Sequence, residues 1–267
     1  MSSIIEYKTI LFEIKSQVAR IKLNRPEIHN AINDMLIDEL TDVYDKLNSD
    51  DNIRVIVMTG EGKSFCAGAD LNWMKSVIHY SYEQNYEESL KLAKLMHLIY
   101  SHSKPVIAKV NGSAVGGGVG LMSTCDIVVA NEDAKFGLSE VRLGLVPAVI
   151  SPYVILRIGQ ARAKELFITS ERISAHRAEE LNLVNRVVPA QELDKTVEDI
   201  VYSILQNGPN AVRIAKEMIH KSATMNFDEV QEYNAELIAN LRTSEEGQEG
   251  MNAFLEKRKP AWVKKSE

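Results

Sequence analysis

Two glycine-rich turns hold the residues whose types and spacing could do chemistry. One is VGGGVG at residues 115–120, where Gly116, Gly117 and Gly118 are consecutive and Gly120 follows one residue on. The other is CAGADL at residues 66–71. Glycine costs about 1 kcal/mol against alanine inside a helix, so a cluster of glycines at a helix start marks a place that needs bare backbone or an absent side chain. The first N–H groups of a helix have no intrahelical partner, and the helix dipole adds partial positive charge there. Such a turn can hold a phosphate, or the oxyanion of an enolate or tetrahedral intermediate. Two turns in equivalent places can each aim one N–H at the same oxygen. The simpler alternative is that the glycines serve only tight helix–strand packing.

Other site chemistries fit less well. Gly118 and Gly120 nearly meet the dinucleotide pattern G-x-G-x-x-G, but Ser123 stands where the third glycine belongs. The acid that should follow, Glu140, lies beyond the strand that ought to carry it. A P-loop would need a terminal Gly-Lys-Ser/Thr that is missing. Cys66, in SFCAGAD, is a candidate catalytic thiol, yet no histidine stands in a context that supports it. The plainer reading makes Cys66 and Cys125 two buried thiols in a reducing cytosol. No Cys/His cluster has zinc spacing, so no metal site is expected.

The 267 residues suffice for one large domain, or for one with a small appendage. A content of 45% hydrophobic and 25% charged residues is that of an ordinary globular protein. The net charge of −6 gives no support to nucleic-acid binding or to a basic membrane patch. No apolar run is long enough to span a bilayer. The N-terminal MSSIIEYKTILFEI lacks the basic region and cleavage site of a signal peptide, and the arginines of a mitochondrial presequence. A cytoplasmic protein without membrane or nucleic-acid partners is the expectation.

The elements that must position the turns follow from periodicity. In VARIKLNRP, Ala19, Ile21 and Leu23 alternate with Arg20 and Lys22, a half-buried strand ended by Pro26. Ile32, Leu36, Leu40, Val43 and Leu47 recur at helical spacing and predict an amphipathic helix over about 30–48. IRVIVMTG, residues 53–60, reads as a buried strand feeding the first glycine turn. A second long helix is expected from Tyr86, stopping before Lys104-Pro105. PVIAKVNG is a buried strand feeding the second glycine turn, and DIVVA is a strand ahead of AKFGLSEVRLGLVP. The chain thus uses strand, glycine-rich turn and helix more than once. After Gln160 the pattern is mostly helical, with LVNRVVP as the one candidate strand. The expected division is an α/β body at 1–195 and a helical region at 196–267, packed on the body or on a neighbouring subunit.

FCAGADL, NGSAVGGGVGL, CDIVVANEDAKFGLSEVRLGLVP and FLEKRKPAW resemble, in order and spacing, the crotonase family, the enoyl-CoA hydratase/isomerase superfamily. The resemblance runs from ARIKLNRPEIHNAI to EKRK. Gly120, SEVRLGLVPAVISPY and FCAGADLNWM look most like the bacterial methylglutaconyl-CoA and carboxygeranoyl-CoA hydratases of leucine and acyclic-terpene breakdown. The resemblance implies an α/β fold, a crotonase-like spiral of repeated β-β-α units with a helical C-terminal region that forms trimers, usually paired into hexamers. It implies an acyl-CoA thioester substrate, and no cofactor beyond the coenzyme A that the substrate carries. It further implies two peptide N–H donors on the thioester carbonyl, and by motif these belong to Ala69 and Gly117. Removing the Cα proton, or adding water across the conjugated double bond, puts negative charge on that oxygen. Each well-aimed donor can supply about 3 kcal/mol of transition-state stabilisation.

Relatives with two catalytic glutamates carry one where this chain has Gly120 and the other where it has Glu140. Glu140 is therefore the expected proton shuttle, and its apolar neighbours would raise its pKa toward neutrality. A surface glutamate paired with Arg142 is the alternative. Gly120 is expected to be a vacancy that leaves room for a carboxylate on the substrate. The resemblance places the adenine and pantetheine along KSFCAGADLN, near Lys63, Ala67, Ala69, Asp70 and Leu71, with Gly117 at the thioester. Arg25 and Lys63 are candidate phosphate partners, and Lys257 in EKRK is a candidate to reach a CoA phosphate on an adjacent subunit. Trp73 and Met74 are candidates for the acyl pocket or, at helical spacing, for the core.

Three functions stay open: a hydratase for a branched carboxylated enoyl-CoA, an enoyl-CoA isomerase with Glu140 as sole shuttle, and a non-catalytic binding subunit of the same fold. Glu140 argues against the third, and Gly120 keeps the second alive.

Overall fold

After a hairpin of β1 (Ile10–Lys15) and β2 (Val18–Leu23), and the helix α1 (Asp34–Asn48), the chain makes one move three times. β3 (Val55–Gly60) crosses into β4 (Ser64–Cys66), β5 (Val106–Val110) into β6 (Ser113–Val115), and β7 (Ile127–Asn131) into β8 (Lys135–Gly137). Helices follow each pair: α2 (Leu71–Val77) and α3 (Tyr82–Tyr100), then α4 (Gly117–Ser123), then α5 (Ser151–Thr169). β9 (Arg172–Ser174), α6 (Ala175–Glu180) and β10 (Arg186–Val188) lead the chain back. The larger sheet has the order β1-β2-β3-β5-β7-β10, parallel from β2 onward, and the smaller has the order β4-β6-β8-β9. This is the expected spiral of β-β-α units. The computed structural model describes residues 7–263; the first residues of MSSIIEYKTILFEI, on which the leader reading rests, lie outside them.

The central strand β3 is buried along its whole length, and β5 and β7 are mostly apolar, because both faces of the sheet are covered there. Side chains alternate across the pleat. Ile56, Met58, Val106, Ala108, Val110, Val128 and Ala130 enter the main core, beside Leu36, Leu40, Val43 and Leu47 of α1. Val55, Val57, Ile107 and Val129 point the other way, onto Val197, Ile200 and Val201 of α7 (Leu193–Leu205). The 195/196 division therefore runs through a helix that closes the sheet. The helices beyond it, α8 (Pro209–Ser222) and α9 (Phe227–Thr243), bury no side chain, and α10 (Glu245–Leu255) buries only Ala253. No helix among the described residues is long and apolar enough to cross a membrane.

Several boundaries differ from the periodicity. The first helix starts at Asp34, not near residue 30, because the Asn33 side chain caps it by accepting from the Leu36 N–H at 3.0 Å. Asn30 has other work: its amide donates to the carbonyls of Glu61 and Ser64, at 2.9 and 2.8 Å, and binds the two loops together. The second helix starts at Tyr82 rather than Tyr86, behind a capping box of Ser81 and Gln84. QARAKELFIT is the later half of α5, which breaks at Gly159, where φ is 72°.

Candidate active site

In each of the three β-β-α units one of the expected groups follows the second strand: Ala69 after β4, Gly117 after β6, and Glu140 after β8. The first turn is held by a bridge to the loop before α1. The Ile32 N–H donates to the Gly68 carbonyl at 2.6 Å, and the Asp70 N–H to the Ile32 carbonyl at 2.8 Å, so Ala69 is fixed between them. Asp70 caps α2 by accepting from the Asn72 N–H at 2.7 Å, and it pairs with Arg25 at 2.6 Å. Burial pushes the Asp70 carboxyl up, but the Asn72 N–H and the Arg25 guanidinium together hold it below its ordinary value. Gly68 has φ of 89°, and a Cβ there would meet the Val115 carbonyl oxygen at 2.8 Å, so only glycine lets the two turns touch.

Each glycine of the second turn has its own neighbour. A Cβ on Gly116, at φ 51°, would lie 3.0 Å from Glu140 Oε1. A Cβ on Gly118 would lie 2.2 Å from the Cys66 carbonyl oxygen. At Gly120 it would lie 2.0 Å from Ile150 Cγ2, and this corrects the expectation of a vacancy: Ile150 fills the space. Gly117 opens α4. Among the described residues no acceptor takes the N–H of Gly117 or that of Ala69. At its other end α4 is held by Arg157, whose Nε donates to the Ser123 carbonyl at 3.1 Å.

Ala69, Gly117 and Glu140 line one open cavity of about 560 Å³. Glu140 Oε2 is buried with no hydrogen-bond partner. Burial raises the Glu140 pKa, against a lowering contact with its own backbone N–H. Arg142 is engaged elsewhere, donating to the Ser170 carbonyl at 2.9 Å, which removes the surface-pair alternative. Cys66 and Cys125 are buried, and burial pushes both thiols up to about 12, far from thiolate chemistry at neutral pH.

The expected CoA contacts are scattered. Ala67 is exposed, with its N–H on the His29 carbonyl at 2.9 Å, while Lys63 and Leu71 are also exposed. Arg25 is a correction: its guanidinium is consumed by Asp70 and the Ala31 carbonyl, so it braces the Ala69 turn rather than standing free for a phosphate. Lys257 follows α10, and its N–H donates to the Phe254 carbonyl; it does not line the cavity. Trp73 lines the cavity and Met74 does not. The periodicity missed Asn85 and Ser89, which face the cavity from α3. Their spacing with Leu92 (i, i+4, i+7) marks one helix face, and that was the signal available.

The family model for enoyl-CoA hydratase/isomerase matches residues 13–265. The chain is 36% identical over 261 residues to a crotonyl-CoA hydratase of Syntrophomonas wolfei, covering 97% of this chain and 99% of the relative. It is 34% identical over 260 residues to a short-chain-enoyl-CoA hydratase of Clostridium acetobutylicum, covering 95% and 97%. The crystal structure of an enoyl-CoA hydratase from Shewanella pealeana superposes with a TM-score of 0.93 at 37% identity, covering 96% of this chain and 97% of that one. With fold and sequence matched nearly end to end, the chain belongs to the enoyl-CoA hydratase/isomerase family.

Proposed function

We propose that the chain hydrates 2-enoyl-CoA thioesters, with Glu140 as its acid–base group and the Ala69 and Gly117 N–H groups as donors to the thioester oxygen. One observation carries this: an unpartnered, buried carboxylate oxygen and two unpartnered N–H groups share a cavity. In hydration the water oxygen bonds Cβ and a proton reaches Cα. Ionised Glu140 takes a proton from the water, and protonated Glu140 gives one to Cα. Its raised pKa suits both halves of that exchange. Relatives at about this level of identity are named as hydratases, which supports the reading.

The preferred acyl group we propose is short and branched, of the 3-methylglutaconyl type, on the resemblance of FCAGADLNWM and SEVRLGLVPAVISPY. The described lining carries no cation. A distal carboxylate would therefore keep its water at the cavity mouth, beside the half-buried Asn85 and the exposed Ser89, rather than approach Glu140. The unburied apolar side chains of the C-terminal helices, Phe227 and Phe254 among them, support assembly into trimers. Isomerisation is the second reading, favoured because Glu140 is the one titratable side chain on the described lining. Absorbance assays of crotonyl-, 3-methylcrotonyl- and 3-methylglutaconyl-CoA test both. Hydration with the highest kcat/KM on the last is expected. Double-bond migration without hydration would replace the reaction, and a preference for crotonyl-CoA would replace the substrate.

A further inference from the structure

The outer wall of the cavity includes a helix that is weakly anchored. α2 buries no side chain, and among its residues Trp73 is the one packed against the main core. The Trp73 indole lines the cavity, and its Nε1–H donates to Glu88 Oε2 on α3 at 2.9 Å. Glu88 itself does not line the cavity, whereas Asn85, Ser89 and Leu92 of the same helix do. The carboxylate is an expensive acceptor at that place. Asp34 of α1 faces it as a like charge, and Lys91, which pairs with Asp38 at 2.8 Å, lies 3.7 Å from Asp34. Burial first, and then Asp34, push the Glu88 carboxyl above its ordinary value. A half-buried indole needs a partner for its N–H, and an ionised acceptor binds it more strongly than a neutral one.

We propose that Glu88 is a positioning residue: by holding the Trp73 indole against α3, it fixes the outer wall of the acyl pocket and sets which acyl groups fit. The assignment rests on the hydratase reading above. Without the acceptor, the ring turns about its side-chain torsions and the wall yields. An acyl group that extends several carbons past the reacting double bond would feel the change. A crotonyl group, which ends one methyl beyond that bond, would not.

Glu88→Leu removes the acceptor, and Glu88→Gln keeps a carbonyl oxygen at the same place. Leucine also removes the like charge facing Asp34, so thermal unfolding is expected to stay at the wild-type value or rise. For crotonyl- and 2-octenoyl-CoA, kcat and KM are measured in each variant, together with calorimetric binding of butyryl- and octanoyl-CoA. Glu88→Leu is expected to change the octenoyl-to-crotonyl ratio of kcat/KM by about fivefold or more through KM, with crotonyl kcat within about twofold of wild type. Glu88→Gln should restore the ratio. Trp73 emission, taken as wild type minus Trp73→Phe, should shift in the leucine variant and not in the glutamine variant. Unchanged emission and discrimination in Glu88→Leu would overturn the assignment. If wild type hydrates no 2-enoyl-CoA, the hydratase reading fails, and the calorimetric ratio still decides the role of Glu88.

Discussion

Gly120→Ala places a Cβ 2.0 Å from Ile150 Cγ2 and 2.5 Å from Ile150 Cβ. Carbon atoms in contact settle at about 3.5–4.0 Å, so one partner must move by about 1.5 Å. Ile150 is poorly placed to do so. It is 3% exposed, its Cβ is one bond from the backbone, and branching there leaves few rotamers. Its carbonyl accepts from the Val154 N–H at 3.2 Å at the start of α5, so displacing it displaces that helix. Overpacking of this kind costs about 1–3 kcal/mol, while exchanging glycine for alanine in a helix returns about 1 kcal/mol. A net loss of up to about 2 kcal/mol is expected. Ile150→Ala alone should lose about 2–5 kcal/mol through the cavity it leaves. In the double variant the alanine at 120 occupies part of that cavity. The combined loss should fall short of the sum by about 1–2 kcal/mol. Urea unfolding of the four proteins, followed by circular dichroism, gives the cycle. A Gly120→Ala protein at least as stable as wild type, with the single losses adding, would refute the packing argument. By the same logic Gly120→Glu should not improve hydration of crotonyl-CoA unless Ile150 is also truncated.

Glu140→Gln should lower kcat by about 10²–10⁴-fold with acyl-CoA binding unchanged, measured by calorimetry. The acid limb of wild-type kcat/KM should lie above the ordinary glutamate range, because burial raises this carboxyl. The same raised pKa favours the folded state below the unfolded value and loses that contribution as pH rises through the folded one. Unfolding free energies should therefore show wild type losing ground to Glu140→Gln across that window. Arg25→Met should destabilise by about 3–5 kcal/mol by stranding Asp70, and Arg25→Met with Asp70→Asn by less. The Asp70 contribution is complete above its unfolded value near 3.8, so the gap to wild type should close only as pH falls through the lower folded value. If Arg25 braces the Ala69 turn rather than a phosphate, the double variant should lose kcat and still bind free CoA. Cys66 and Cys125 should react with a thiol reagent only after unfolding, and Cys66→Ala should keep wild-type kcat; fast labelling of the native protein would contradict their burial.

Both glycine turns were readable in the chain because their cause is local: a helix start that must stay bare shows itself in consecutive residues. Glu140 was singled out by the family resemblance, and its apolar neighbours added only the expectation of a raised pKa. What could not be read is long-range pairing. Nothing near Gly120 announces that Ile150, thirty positions later, fills the space beside it. Nor does LNRP announce that Arg25 is committed to Asp70. The helical spacing of Ile32 with Leu36 was real, since both are buried, yet Ile32 serves the bridge to Ala69 rather than α1. Asn85 and Ser89 passed unremarked, since the helix was expected only from Tyr86, and polar residues beside a cavity leave the same pattern as polar residues facing bulk water.

Ala69, Gly117 and Glu140 follow β4, β6 and β8, which are successive neighbours in the smaller sheet. Neighbouring strands lie about 4.8 Å apart, and two nitrogens at that separation, each about 2.9 Å from one oxygen, enclose an angle of about 110° at it. That spread matches the lone pairs of a carbonyl oxygen on its way to an oxyanion. In the proposed reaction the sheet would act as a ruler laid across the thioester, with the carboxyl one graduation further along. In the proposed reaction a planar enolate held this way would meet its acid from one side only. Handedness then comes from the order of strands. Hydration run in heavy water should place deuterium in a single stereochemical position at Cα.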